Sequence, residues 1–225
     1  MPKQKKSRKR GRTETRKVLL TGFEPFGGEK TNSSQEIARQ LHGTMIARHR
    51  VAGGLLPCVF GAAIRELQYL IELHAPVLVV GLGQAGGRSE ISPERVAINL
   101  DDASMADNSG QQPVDRPIVK EGPAAYWSTL PIKAIVGELR ERGIPAAVSQ
   151  TAGTFVCNHT FYGLMHQLRD QRKIRGGFIH VPYLSEQTGD KPSLPLETMT
   201  QAIAVAIEVS LRRQRDLHRA GGAMH

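Results

Sequence analysis

Cysteine is scarce in this 225-residue chain: Cys58 and Cys157 are the only two. Two cysteines do not make a disulfide framework, so the stapled scaffolds of small secreted proteins are excluded and a reducing, cytoplasmic setting is expected. Long apolar runs are also missing. No stretch of 18 or more apolar residues occurs, and no membrane partner is expected. After the basic start only Val18-Leu-Leu20 precedes Thr21-Gly22, too short for the core of a secretory signal. No internal repeat is visible. The glycine-rich stretch 81–87 has neither the Lys-Ser/Thr ending of a phosphate loop nor a full dinucleotide fingerprint, so it gives little support to phosphate binding. Acidic residues are nearly absent from the first 17 positions, where nine Lys or Arg face Glu14 alone. That segment therefore carries +8 of the formal net charge of +9.

The basicity thus belongs to an end of the chain. Residues 1–16 are expected to be a disordered tail, because such a composition cannot bury apolar surface. Weak, salt-sensitive contact of residues 1–17 with polyanions is one consequence. A nucleic-acid-associated binding protein, dominated by this tail, is accordingly one reading of the chain. Residues 214–225, with Arg215, Arg219 and Gly221-Gly222, are expected to be a flexible C-terminal tail.

Between the ends, patterns of period 2 and period 3.6 alternate. Strands are expected at 17–21, 50–57, 76–82, 95–100, 144–149 and 177–181. Helices are expected at 33–41, 60–74, 131–142, 155–168 and 196–213. Ser33 with Glu36 reads as a capping box, and Pro131 and Gly143 punctuate the third helix. Segment 101–129 holds five Pro or Gly residues and reads as a long functional loop. Strands separated by helices imply βαβ units. The fold expected is a single-domain three-layer α/β/α structure with a mainly parallel, mixed, twisted central sheet over 17–213. Sites in such folds gather beyond the carboxyl ends of the strands.

Four segments follow strands directly: Gly22–Gly28, Gly83–Glu94, Ala152–Cys157 and His180–Tyr183. Cys157 lies where a strand hands over to a helix, among unpaired N–H groups at the positive end of a helix dipole. That setting favours a thiolate. Cys58 lies in Leu55-Leu-Pro-Cys-Val-Phe60, an apolar context that suits packing. Of eight histidines, His180 ends an apolar strand at the expected active edge. His159, two residues past Cys157, is turned to another helix face. Glu94 lies at a loop margin, where pairing with Arg88 or Arg95 is the ordinary alternative to a catalytic role. A cysteine hydrolase needs a thiolate, a histidine and a group that orients it. An enzyme handling nucleosides or phosphates on a similar scaffold is the third reading, though basic phosphate contacts are not evident in Gly22–Gly28.

Several stretches together resemble the pyroglutamyl peptidase I family of cysteine peptidases. They are Val18-Leu-Leu-Thr-Gly-Phe-Glu-Pro-Phe-Gly-Gly28, Gly83-Gln-Ala-Gly-Gly-Arg88, Glu94-Arg-Val-Ala-Ile-Asn99, Ser149 through Asn158, and Gly177-Phe-Ile-His-Val-Pro-Tyr183, with support from 122–127 and 130–133. The resemblance covers about 17–213. It implies removal of an N-terminal pyroglutamyl residue from peptides with no cofactor and no metal. Cys157 would be the nucleophile, His180 the base and acid, and Glu94 the orienting carboxylate. Phe23 and Phe26 would sandwich the lactam ring, Gln84 would be a polar contact, and the chain would assemble as a homotetramer. One departure is that Ser104, in Asp102-Ala-Ser-Met-Ala-Asp-Asn108, stands where the family usually has an arginine near the active site.

Overall fold

A computed structural model describes residues 15–171, 173–187 and 190–222; most of the expected basic tail lies outside the described residues. The elements in chain order are β1 (Lys17–Phe23), α1 (Ser33–Leu41), β2 (Met45–Ile46), β3 (His49–Leu56), α2 (Ala62–His74), β4 (Leu78–Gln84), β5 (Ser92–Pro93), β6 (Val96–Ile98) and β7 (Ala125–Trp127). They continue with α3 (Ile132–Glu141), α4 (Val156–Leu168), β8 (Arg175–Val181), β9 (Tyr183–Leu184), β10 (Ser193–Leu194) and α5 (Leu196–Arg212). The central sheet has the order β2-β3-β1-β4-β8-β5. Its inner strands β3, β1, β4 and β8 are parallel, and its edges β2 and β5 are antiparallel. The expectation of a mixed, mainly parallel sheet in a three-layer single domain is met.

Alternation along the strands builds two cores. Val18 and Leu20 of β1, with Val80 and Leu82 of β4, face α1, α3 and α5. Leu19 and Phe23, with Val79 and Phe178, face α2 and α4. Each large side chain so buried contributes about 1.5–3 kcal/mol before entropy is charged against it. The chain places β3 on one side of β1 and β4 on the other, so a crevice opens beyond the carboxyl ends of β1 and β4.

Three expectations need correction. The capping box at Ser33 is not formed. Asn32 is the N-cap of α1 and its Oδ1 accepts from Ser34 N at 3.0 Å, while Glu36 pairs with Arg39. Ser33 is thereby free to bond across to Gln84 and Pro182. The strand expected at 144–149 forms only isolated parallel bridges with the 91–94 segment, Ile91 to Ala146 and Glu94 to Ser149. Pro145 and Pro93 have no N–H to give, so a continuous ladder cannot form there. Third, β1 runs two residues further than expected and takes Phe23 into the sheet. Gly22 permits this, because a Cβ there would overlap the Ser34 carbonyl at the start of α1.

The last described residues lie along α3. Asp216 accepts from Lys133 N at 3.0 Å and Ala134 N at 2.9 Å, capping a helix whose own N-cap, Pro131, offers no side chain. Asp216→Ala is expected to cost about 1 kcal/mol, or about 2–4 °C in Tm, with Asp216→Asn keeping most of it. Thermal melts of the two variants check this; equal Tm values for Asp216→Ala and wild type would dismiss the cap.

Candidate active site

Parallel strands bring their carboxyl ends to one edge, and the site is assembled there. Gly83 and Gln84 of β4 lie in register with His180 and Val181 of β8, and Ser92 of β5 flanks His180. The next residues along from β5 bring Glu94 to the same place, with Glu94 N donating to Phe178 O at 2.9 Å. His180 Nδ1 and Glu94 Oε1 are 2.7 Å apart, with His180 4% and Glu94 0% exposed. A carboxylate can only accept, so Nδ1 carries the proton and Nε2 is left as the basic nitrogen.

Cys157 is the second residue of α4 and is partly buried. A Cβ added to Gly83 would stand 2.7 Å from Cys157 Sγ and 3.0 Å from His180 Cδ2, the ring carbon bonded to Nε2. The thiol and the basic edge of the imidazole therefore converge over the same glycine. The first main-chain bond inside α4 runs from His159 N to Phe155 O, so the N–H groups of Val156, Cys157 and Asn158 have no partner within the helix. Asn158 ties this end of α4 down by accepting from Ile98 N and donating to Ile98 O and Leu100 O.

The thiol itself departs from the sequence-based expectation. Burial pushes the Cys157 thiol well above its ordinary range; Cys58 and Glu94 add to this, and Arg88 draws it down. Burial thus works against the thiolate that position at a helix start favours. Cys58 is 3% exposed, and burial, with the charges of Glu24 and Asp107, raises its thiol to about 12.

Glu94 meets both an arginine and the histidine. Besides His180, its Oε1 accepts from Arg88 Nη1 at 2.7 Å. Its Oε2 is buried without a partner among the described residues. Arg95 points elsewhere, to Gln150 Oε1 and Gly221 O. His159 braces the scaffold instead of the site. Its Nδ1 lies 2.8 Å from Asp101 Oδ2, and its Nε2 accepts from Gly61 N at the start of α2.

The pocket residues divide. Gln84 is buried, and its Oε1 accepts from Ser33 N at 2.9 Å and from Ser33 Oγ at 3.2 Å. Phe23 is 2% exposed and packs against Phe178 at 6.4 Å between centroids. Phe26 is half-buried, and its aromatic neighbour is Phe155, at 6.1 Å, which in turn meets Phe60 edge-on at 5.4 Å. Phe155 is a neighbour of Phe26 that the sequence does not single out. The signal lies in its place at the N-cap of the helix that carries Cys157. The long segment 101–129 is pinned rather than loose: Asp107 accepts from Phe60 N and Gln111 N, and Asn108 donates to Glu24 and Pro25. Ser104 is exposed on this segment, next to Met105, whose methyl would lie 3.2 Å from a Cβ on Gly27.

Among the described residues no group of three or more His, Cys, Asp or Glu is arranged to hold a metal ion, and no helix is long and apolar enough to cross a membrane.

Comparison with known proteins converges on one family. A profile described as pyroglutamyl peptidase matches residues 16–213. The chain is 59% identical over 211 residues to a pyrrolidone-carboxylate peptidase of Klebsiella pneumoniae, covering 92% of this chain and 99% of that protein. It is 54% identical over 212 residues to one from Bacillus mycoides, again covering 92% and 99%. Among solved structures, Bacillus amyloliquefaciens pyroglutamyl peptidase I matches with a TM-score of 0.87 at 50% identity, over 90% of this chain and 100% of that one. Pyrrolidone carboxyl peptidase from Pyrococcus furiosus matches with a TM-score of 0.85 at 45% identity, over 88% and 99%. Along nearly its whole described length, in sequence and in fold, this chain belongs to the pyroglutamyl peptidase family of cysteine peptidases.

Proposed function

We propose that the chain hydrolyses the amide bond after an N-terminal pyroglutamyl residue, with Cys157 as nucleophile, His180 as base and acid, and Glu94 as orienter. The observation that carries this is the buried 2.7 Å hydrogen bond from His180 Nδ1 to Glu94, whose imidazole converges with Cys157 Sγ over Gly83. His180 Nε2 takes the thiol proton as Sγ adds to the scissile carbonyl. The free N–H groups at the start of α4 receive the developing oxyanion. The C–N bond then breaks as His180 returns its proton to the leaving amine, and a pyroglutamyl thioester remains on Cys157. Water gives a proton to His180 and adds to the thioester, releasing pyroglutamate and the thiol.

A pyroglutamyl ring is flat and uncharged, which suits an aromatic wall and an amide donor. Phe26 with Phe155 supplies the wall, Gln84 Nε2 the donor, and Phe23 the floor beneath. A free α-ammonium would lose its hydration there without a counter-charge, so ordinary N-termini are rejected. The test is hydrolysis of a pyroglutamyl-amide reporter against the matching prolyl-amide: cleavage of the first alone is expected, and equal cleavage would overturn the specificity.

Ser104 removes a cation that the family resemblance puts near the site, so Ser104→Arg is expected to raise turnover by about 3–10-fold and to move the pH optimum down. An unchanged pH–rate profile would dissociate position 104 from the chemistry. A cytoplasmic location, on the scarcity of cysteine, and homotetrameric assembly, on family resemblance, are carried in the same proposal, and sedimentation at working concentration tests the second.

A further inference from the structure

The two alternatives for Glu94, orienting carboxylate and Arg-paired surface residue, turn out to be one arrangement, and Arg88 is its unassigned member. Its guanidinium is about a quarter exposed, while the carboxylate it meets is fully buried. Nη1 donates to Glu94 Oε1 at 2.7 Å, and Nη2 donates to Thr151 O at 3.0 Å. Thr151 is six residues before Cys157, in the segment that enters α4, and its Oγ1 accepts from Gly153 N. One planar fork therefore holds the group that orients the base and the chain that delivers the nucleophile.

We propose that Arg88 is a positioning residue of the catalytic apparatus, holding Glu94 as a carboxylate against His180 while clamping the 149–155 segment that leads to Cys157. This rests on the peptidase reading and adds to it a residue that reaches neither substrate nor reacting atoms. The physical need is plain. Glu94 has no exposed surface and its Oε2 has no partner among the described residues, so Arg88 at Oε1 is the counter-charge that a buried carboxylate needs. Arg88 is also the group that draws the Cys157 thiol down against burial, Cys58 and Glu94. Among the described residues the ionisable groups facing this cluster are His180 on β8, Cys157 on α4 and Cys58 beyond β3; Arg95 is turned to Gln150 and Gly221. A lysine would bring the charge but not two fixed donors.

The test separates charge from geometry, using the full chain. The rate of Cys157 alkylation by iodoacetamide is followed against pH, with the alkylated site identified by peptide mapping, alongside kcat and KM for a pyroglutamyl-amide reporter. Arg88→Met is expected to move the alkylation profile alkaline by about one pH unit and to lower kcat by about 10–100-fold, with KM nearly unchanged. Arg88→Lys is expected to restore the alkylation profile yet leave kcat about tenfold down, because the Thr151 clamp is lost. It also serves if the Met variant fails to fold. If Arg88→Met loses thermal stability alone, with both profiles superimposed on wild type, the residue is merely structural and the proposal is overturned. Wild-type kcat in Arg88→Lys overturns the clamp. A wild-type protein whose Cys157 alkylates as described but leaves pyroglutamyl amides uncut contradicts the peptidase reading, while the alkylation shift in Arg88→Met still judges Arg88.

Discussion

Cys157→Ser is expected to lose cleavage of a pyroglutamyl-amide reporter by about four orders of magnitude or more, while Cys58→Ala keeps kcat within about twofold. The difference follows from placement rather than from exposure alone. Both thiols are pushed up by burial, and neither rests as a thiolate near neutral pH. What distinguishes Cys157 is an imidazole converging with it over Gly83 and main-chain N–H groups at its own helix start that have no partner within the helix. A serine there meets the same histidine, but its hydroxyl is a far poorer acid and nucleophile than a thiol. Cys58 lies among Phe60, Phe155 and α2, with Glu24 accepting from its main-chain N–H. Its loss trims packing at a cost of about 1 kcal/mol and leaves the site intact. Iodoacetamide should accordingly abolish activity in wild type and in Cys58→Ala alike. Loss of activity in Cys58→Ala with a normal melting profile would reverse the assignment.

Gly83→Ala should be nearly as damaging, with a drop of about 100-fold or more in kcat and little change in global stability. The added methyl would stand 2.7 Å from Cys157 Sγ, 2.9 Å from a Phe178 ring carbon and 3.0 Å from His180 Cδ2. The Phe178 ring is locked in the core and β4 is buried, so the thiol and imidazole must give way. They would move apart, which breaks the proton transfer without unfolding the sheet. Steady-state kinetics with a circular-dichroism melt tests this: wild-type kcat in Gly83→Ala would mean that the two groups do not work over that glycine.

Much of the scaffold is legible in the sequence because burial leaves plain marks there. The continuous apolar run at 76–82 marks a central strand, and the pattern over 33–41 gives α1 the bounds it has, although not its cap. Asn32 rather than Ser33 caps α1 because Ser33 is needed by Gln84, a partner 51 positions away that no local pattern reveals. The edge at 144–149 has the β-prone residues of a strand, and the prolines that break its ladder lie partly in its partner. The C-terminal residues look loose by composition, yet Asp216 serves as the cap of a helix that starts some 80 residues earlier.

At the site, Cys157, His180 and Glu94 stand out from strand ends and family likeness, and folding brings them to one edge. The wall pairing is less visible. Phe23 and Phe26 are three residues apart in one motif, but the extension of β1 sends the first into the core. Phe155 becomes the neighbour of the second through α4, a contact across more than a hundred residues. Arg88 looks from sequence like an ordinary ion-pair partner, because spacing cannot tell a guanidinium on a solvated carboxylate from one on a buried carboxylate that also holds a histidine.

The most direct test is to trap the covalent intermediate. A pyroglutamyl ester or amide is mixed with enzyme, quenched in acid within a turnover, and the peptides are weighed. A pyroglutamyl adduct is expected on the peptide containing Cys157, absent from Cys157→Ser and lost on further incubation. An adduct on Cys58, or cleavage of the reporter by Cys157→Ser at the wild-type rate, would contradict Cys157 as the nucleophile.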